Sequence, residues 1–179
     1  MLYYLGKRFQ HASMPSKTLS IDSVAAQTRV LQQSGKRVVF TNGCFDILHP
    51  GHIDLLYRAR ALGDVLVVAL NSDTSVRRLK GANRPIFNER ERAELVAALE
   101  MVDFVCTFEE DTPLQTILAI RPDILVKGAD WLAGGIVGSA EVERSGGRVV
   151  ALPLLEGQST TGIVERVLSR YGSHRETDS

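Results

Sequence analysis

Val38-Val39-Phe40-Thr41-Asn42-Gly43-Cys44-Phe45-Asp46-Ile47-Leu48-His49-Pro50-Gly51-His52 decides the fold of this chain: an apolar run ends in a Gly turn, and two histidines then open a helix. The order reads as strand, anion-binding turn and helix N-terminus. Pro50 has a fixed φ suited to a first helical turn, and Gly51 lets backbone approach a ligand closely. His49 and His52 then share a surface with the free amides of a helix start, which suits anions.

The three-residue spacing carries chemistry beyond binding. Two imidazoles so placed lie on neighbouring faces of one helical turn, and both can donate hydrogen bonds to phosphoryl oxygens. They would stabilise charge that builds on a transferring phosphorus. The competing readings are that one His merely caps the helix, or that the pair holds a metal with Cys44. Metal binding ranks below phosphate binding, because Cys106 is far away in sequence and no further His or Cys completes a zinc spacing. No metal ligand is therefore assigned.

Outward from this stretch, short β-branched runs alternate with helical patterns. Val38 to Thr41, Val65 to Leu70, Phe104 to Thr107, Ile124 to Val126 and Val149 to Leu152 read as buried strands. Gly51 to Leu62, Glu89 to Met101, Pro113 to Ile120, Ser139 to Arg144 and Thr160 to Tyr171 read as helices, with Ile21 to Gln33 as a lead-in helix. The alternation predicts an α/β fold, a Rossmann-like, doubly wound five-stranded parallel sheet. Ligands of such sheets sit at the carboxyl ends of strands near the switch point, where the motifs of this chain fall. Residues 1–20 are expected to form a flexible extension, 21–171 a single domain and 172–179 a flexible tail.

The composition fits one ordinary globular domain: 179 residues, 44% hydrophobic and 23% charged. Lys+Arg and Asp+Glu balance at 21 each, so bulk charge predicts neither nucleic acid nor an anionic membrane as partner. Two cysteines suggest a reducing compartment, and Met1 to Leu5 is too short for a secretory core, so a cytoplasmic protein is expected. A Walker A pattern is missing, and Gly134, Gly135 and Gly138 follow Trp131 in a loop, so kinase and dehydrogenase readings lose their support.

Three further constellations sit at strand ends. Gly157-Gln158-Ser159-Thr160-Thr161-Gly162 opens the last helix, where hydroxyls can cap the helix and, with free amides, hold a triphosphate. Asn71-Ser72-Asp73, followed by Arg77, Arg78, Lys80, Gly81 and Arg84, reads as an exposed basic loop in which Arg77, Arg78 and Arg84 face solvent. Pro122 to Trp131 ends a strand in a Gly and an acid-aromatic pair. There Asp130 can accept hydrogen bonds from substrate hydroxyls or help hold a metal ion, and Trp131 can flank a sugar or base.

Thr41-Asn42-Gly43 through His49-Pro50-Gly51-His52 resembles the HxGH signature of the cytidylyltransferase-like nucleotidyltransferases, and its place after the first strand is the context that motif requires. Arg78-Leu79-Lys80-Gly81, Ala98 to Asp103, Phe108 to Pro113, Leu125-Val126-Lys127-Gly128 and Gly138 to Val142 narrow the resemblance to the bacterial heptose 1-phosphate adenylyltransferases. The chain departs from the glycerol-3-phosphate cytidylyltransferases at Glu100 and Leu154, where those enzymes carry arginines. The resemblance implies catalytic roles for His49, His52 and Lys80, the last as a mobile phosphate-following charge. It implies nucleotide contacts from Thr41, Asn42, Gly43, Phe45, Gly51, Arg92, Gly128, Ser159, Thr160 and Thr161, and sugar contacts from Asp46, Asp130 and Trp131.

The activity implied by the resemblance is AMP transfer from ATP, with Mg2+, to a sugar 1-phosphate for lipopolysaccharide, in a homodimer resembling the stand-alone form. A separate heptose 7-phosphate kinase would supply the substrate. A phosphate monoester is already largely dianionic at neutral pH, so alignment and charge stabilisation suffice without a Ser-His-Asp or Cys-His set. The alternatives are a cytidylyltransferase acting on a small polyol phosphate, a non-catalytic nucleotide-binding module, and a structural subunit of a larger synthase.

Overall fold

Each apolar run becomes a parallel strand and each intervening amphipathic stretch a covering helix. A computed structural model describes residues 16–128 and 135–172. Its elements run α1 (Ile21–Gln33), β1 (Val38–Gly43), α2 (Pro50–Arg60), β2 (Val65–Asn71), α3 (Asp73–Lys80), α4 (Glu89–Ala97), β3 (Phe104–Phe108), α5 (Leu114–Ile120), β4 (Ile124–Gly128), α6 (Ser139–Arg144), β5 (Arg148–Leu152) and α7 (Thr160–Tyr171). All pairings are parallel, in the order β3-β2-β1-β4-β5. The chain steps outward from β1 to β3 and then returns to lay β4 on the other side of β1. The switch point thus lies between β1 and β4, with the His49–His52 turn leaving β1 beside it.

Side-chain alternation along the strands builds two cores. Phe40, Val67, Cys106 and Leu125 face α1, α5 and α6 through Val24, Ile117 and Val142. Val39, Val68, Val105 and Val126 face α2 and α4 through Leu56, Ala59, Ala93 and Val96. Apolar side chains therefore cover both faces of β1, β2 and β4, which is why those runs lack the polar alternation of a half-exposed strand. Three aspartates pin the strand starts: the Asp123, Asp103 and Asp64 carboxylates accept from the backbone N–H groups of Val38, Leu66 and Arg37 at 2.7, 2.7 and 2.8 Å.

The segment before α1 is tied to the sheet: Val105 N–H donates to Lys17 O at 2.8 Å and Leu19 N–H to Val105 O at 2.9 Å, so residues 17–19 lie along the outer edge of β3. Such a strap covers an otherwise unpaired edge. The basic stretch after β2 is a helix, α3, and not a loop. Ser72 caps it by accepting from Ser75 N–H at 3.1 Å, while Arg77, Arg78 and Lys80 crowd its last turn, where cations complement the helix dipole. The Ser72-Asp73 start was the legible signal, and the density of charge hid it.

Among the described residues no helix is long and apolar enough to cross a membrane.

Candidate active site

The β1–α2 turn is built around an unusual backbone conformation. Phe45 has φ +45°, a left-handed value that costs a bulky residue on the order of 1–2 kcal/mol. Its ring is buried, and a Cβ at Gly43 would stand 3.1 Å from it, so glycine makes room for the ring. In return the ring supports the site: its centroid lies 5.0 Å from that of His52.

His49 and His52 stack face to face, with centroids 3.7 Å apart and planes 21° from parallel. They form the one surface that the sequence predicts, with the rings stacked on each other. His49 stands at the N-cap position of α2 but its side chain makes no cap bond, so the capping reading of this residue fails. Gly51 lets this turn pack tightly. A Cβ there would fall 3.1 Å from both the His49 ring and the Cβ of Gln158. The close approach to Gln158 brings the start of α7 to the start of α2, joining two motifs more than a hundred residues apart.

Burial sets the protonation state. It pushes the His49 pKa down, and it pushes His52 to about 4, helped by the neighbouring His49 and opposed by Asp46. Two cations at stacking distance repel strongly, so both rings are neutral at pH 7 and each presents one N–H. The Nδ1 atoms of both histidines, together with Thr41 Oγ1 and Asn42 Oδ1, are buried polar atoms without a hydrogen-bond partner among the described residues. Buried polar atoms of folded proteins are nearly always satisfied, so the unpartnered nitrogens of the stacked histidines match a polar ligand.

The low His52 pKa makes acid sensitivity an expected property. The unfolded chain takes up this proton near pH 6.5, the folded chain only near 4. The unfolded state therefore binds more protons in between, and stability is full above about 6.5 and falls as pH drops toward 4. The loss from this group between pH 7.5 and 4.5 is about 2–3 kcal/mol. Urea unfolding at the two pH values measures it; an equal loss in the His52→Gln variant would show that another group is responsible.

Around this centre the cations converge. Burial raises the Cys44 thiol pKa, while Lys80, Arg92 and Arg84 each pull it down, so all three charges act on the turn. Lys80 is exposed at the end of α3, with Gly81 at φ +98° following it. Lys127, at the end of β4, donates to Asn42 O at 3.2 Å and ties the two strands that flank the switch point. No role was read for Lys127 from the sequence, although one charged residue at the carboxyl end of an apolar strand was the signal. Gly128 follows it, buried.

Two assignments change character. Arg92, expected on the nucleotide, is fully buried, and it donates from Nε to Phe87 O at 3.1 Å, from Nη1 to Cys44 O at 2.7 Å and from Nη2 to Asp73 Oδ1 at 2.8 Å. It is placed as a scaffold that fastens the turn to α3 and α4. Asp46, expected on the sugar, is 1% exposed, and its carboxylate accepts from Arg84, Ile86 and Phe87. Ser159 caps α7 by accepting from Gly162 N–H at 3.0 Å, which leaves the first amides of Thr160 and Thr161 as the free donors of a helix start. Asp130 and Trp131 lie outside the described residues.

A cavity of about 620 Å³ lies beside His49 on the outer side of α2, lined also by Leu48, Pro50, Ile53, Asp54 and Tyr57. Among the described residues its only charged lining group is the Asp54 carboxylate, which does not suit a phosphate ester. Among the described residues no three His, Cys, Asp or Glu side chains gather to hold a metal.

A parallel sheet with two stacked histidines at its switch point, between two helix starts and near three cations, defines a site of nucleotidyltransferase type. The cytidylyltransferase-like family model matches residues 40–166. Similar proteins include the bifunctional protein HldE of Pelobacter propionicus, 53% identical over 161 residues that make up 90% of this chain and 33% of that protein. The HldE of Geobacter sulfurreducens is 49% identical over 92% of this chain and 34% of its own. The chain thus spans about a third of the length of these curated relatives. Among solved structures, the lipopolysaccharide core biosynthesis protein from Thermoplasma volcanium is 32% identical, with TM-score 0.56, covering 69% of this chain and all of that one. The chain belongs to the cytidylyltransferase-like family.

Proposed function

We propose that this protein transfers AMP from ATP to heptose 1-phosphate, forming ADP-heptose and pyrophosphate for the lipopolysaccharide core. The observation that carries the nucleotidyl-transfer part is the stacked His49–His52 pair, whose unpartnered ring nitrogens lie where the starts of α2 and α7 meet. The heptose part is supported by the motif resemblance, with Glu100 and Leu154 in place of arginines, and by relatives described as HldE and as a lipopolysaccharide core biosynthesis protein. The word bifunctional in the name of the first relatives fits a second activity in the two thirds of their length that this chain does not match. In this reading a heptose 7-phosphate kinase activity supplies the substrate, and the enzyme works in the cytoplasm as a homodimer.

In the transfer step a phosphate oxygen of the sugar 1-phosphate attacks the α-phosphorus of ATP in line. The bond from that phosphorus to the bridging oxygen breaks, and pyrophosphate leaves with the electron pair. The nucleophile is already largely dianionic near neutral pH, so no base needs to remove a proton. Neutral imidazoles bind the ground-state phosphates modestly, but they gain as negative charge accumulates at phosphorus, so His49 and His52 favour the transition state. The amides of Thr160 and Thr161 and the Lys80 charge orient the leaving phosphates. Asp46 is already committed to protein donors, so magnesium is treated as part of the nucleotide substrate, carried by its phosphates and water.

Pyrophosphate release, with ATP and CTP crossed against heptose 1-phosphate and glycerol 3-phosphate in the presence of magnesium, tests the reading. Release with ATP and the heptose ester alone is expected. Release with CTP and glycerol phosphate would move the chain to another branch of the family, and silence with all four pairs would favour a non-catalytic nucleotide-binding module.

A further inference from the structure

The segment between α3 and α4, residues 81–88, has no regular structure, yet it connects Lys80 to the rest of the molecule. Its far end is firmly fixed. Asn88 and Glu91 form a reciprocal capping box on α4, and Arg92 Nε holds Phe87 O. The near end, from Lys80 to Asn83, has fewer ties: Arg84 N–H donates to Gly81 O at 3.1 Å, and the Arg84 side chain makes the main tether. Arg84 Nε donates to Asp46 Oδ2 at 2.6 Å, with Arg84 only 18% exposed and Asp46 1%. Asp46 also accepts from Ile86 N–H at 2.9 Å and Phe87 N–H at 3.0 Å.

The carboxylate that receives these bonds stands three residues before His49, inside the turn that carries Phe45 and both histidines. A buried, charge-assisted bond of this kind is geometrically strict. We propose that Arg84 and Asp46 form a latch that registers the Lys80-bearing segment against the histidine turn, making Arg84 a positioning residue that acts through Lys80. This inference rests on the nucleotidyl-transfer reading above for its kinetic part only. The latch explains why an arginine that the sequence suggests is solvent-facing is instead mostly buried, and why Asp46 has no exposed face to offer a substrate. A lysine on an exposed helix end has many rotamers, so fixing the backbone four residues beyond it narrows the volume its charge can explore.

Two measurements on the 179-residue chain decide it. Trypsin cleavage of the Lys80–Gly81 bond reports directly on the segment: Arg84→Ala should be cut about tenfold faster than the parent, and Arg84→Lys should recover part of the protection. Steady-state pyrophosphate release then tests coupling. Arg84→Ala should lower kcat/KM for ATP about tenfold in the parent background and less than about twofold in a Lys80→Ala background, because the latch has nothing left to position. Equal losses in both backgrounds, or unchanged cleavage at Lys80–Gly81, would overturn the proposal. If the parent protein turns over none of the substrate pairs, the functional reading fails, and the cleavage rates alone still decide whether the latch exists.

Discussion

His52→Ala is expected to lower turnover by about 10²–10³-fold while the protein still folds, the scale seen when one preorganised donor to a developing oxyanion is lost. The residue lies under Phe45 and beside His49, with its Nδ1 unpartnered, so few bonds of the fold depend on it. The measurement is pyrophosphate release at saturating ATP, with a thermal melt at pH 7.5 as the control. Little change in melting is expected: a large fall in stability would turn the lost rate into a folding effect. A near-normal rate in the folded variant would remove His52 from catalysis and take with it the central argument for the site. The loss should fall mainly on kcat, because a neutral imidazole contributes more as charge grows than to ground-state binding.

Arg92→Ala should do the opposite, destabilising the fold more than it affects binding. The guanidinium is fully buried, and its removal strands the Asp73 carboxylate and the carbonyls of Phe87 and Cys44. Breaking a buried pair by deleting one partner costs about 3–5 kcal/mol, a large share of the 5–15 kcal/mol that holds an ordinary domain together. Urea denaturation should show an unfolding free energy lower by that amount, and Arg92→Lys should recover part of it by keeping the charge near Asp73. A variant that keeps its stability but loses ATP affinity would contradict the scaffold placement and return Arg92 to the nucleotide.

The contrast between His52 and Arg92 shows how far the sequence could be read. Both are charged or chargeable residues near the same turn, and motif resemblance put both in the site. The histidine stands on a local pattern: strand, glycine turn, Pro50 and a helix start all lie within fifteen residues, so its placement follows from chain geometry. The arginine's partners are Cys44, Asp73 and Phe87, and the 48-residue separation from Cys44 is closed only when α4 packs on β2 and β3. Arg84 and Asp46, 38 residues apart, follow the same rule. A charged side chain in sequence gives its chemistry but not its partner, and burial converts a possible ligand contact into a structural bond.

Local periodicity and turn chemistry by themselves determined the five strands, their covering helices except α3, the parallel α/β class and the place of the histidine turn, because each depends on residues within a helical turn or a strand length of one another. The start of α7 was legible for the same reason, through its Ser159-Thr160-Thr161 cap. Only the tertiary structure decided that the two histidines stack and stay neutral, that Gly51 brings Gln158 alongside them, and that Arg92, Arg84 and Asp46 serve as the frame. Those properties arise from desolvation and from contacts between distant segments, and both exist only once the sheet has brought the β1 turn, α3, α4 and α7 together.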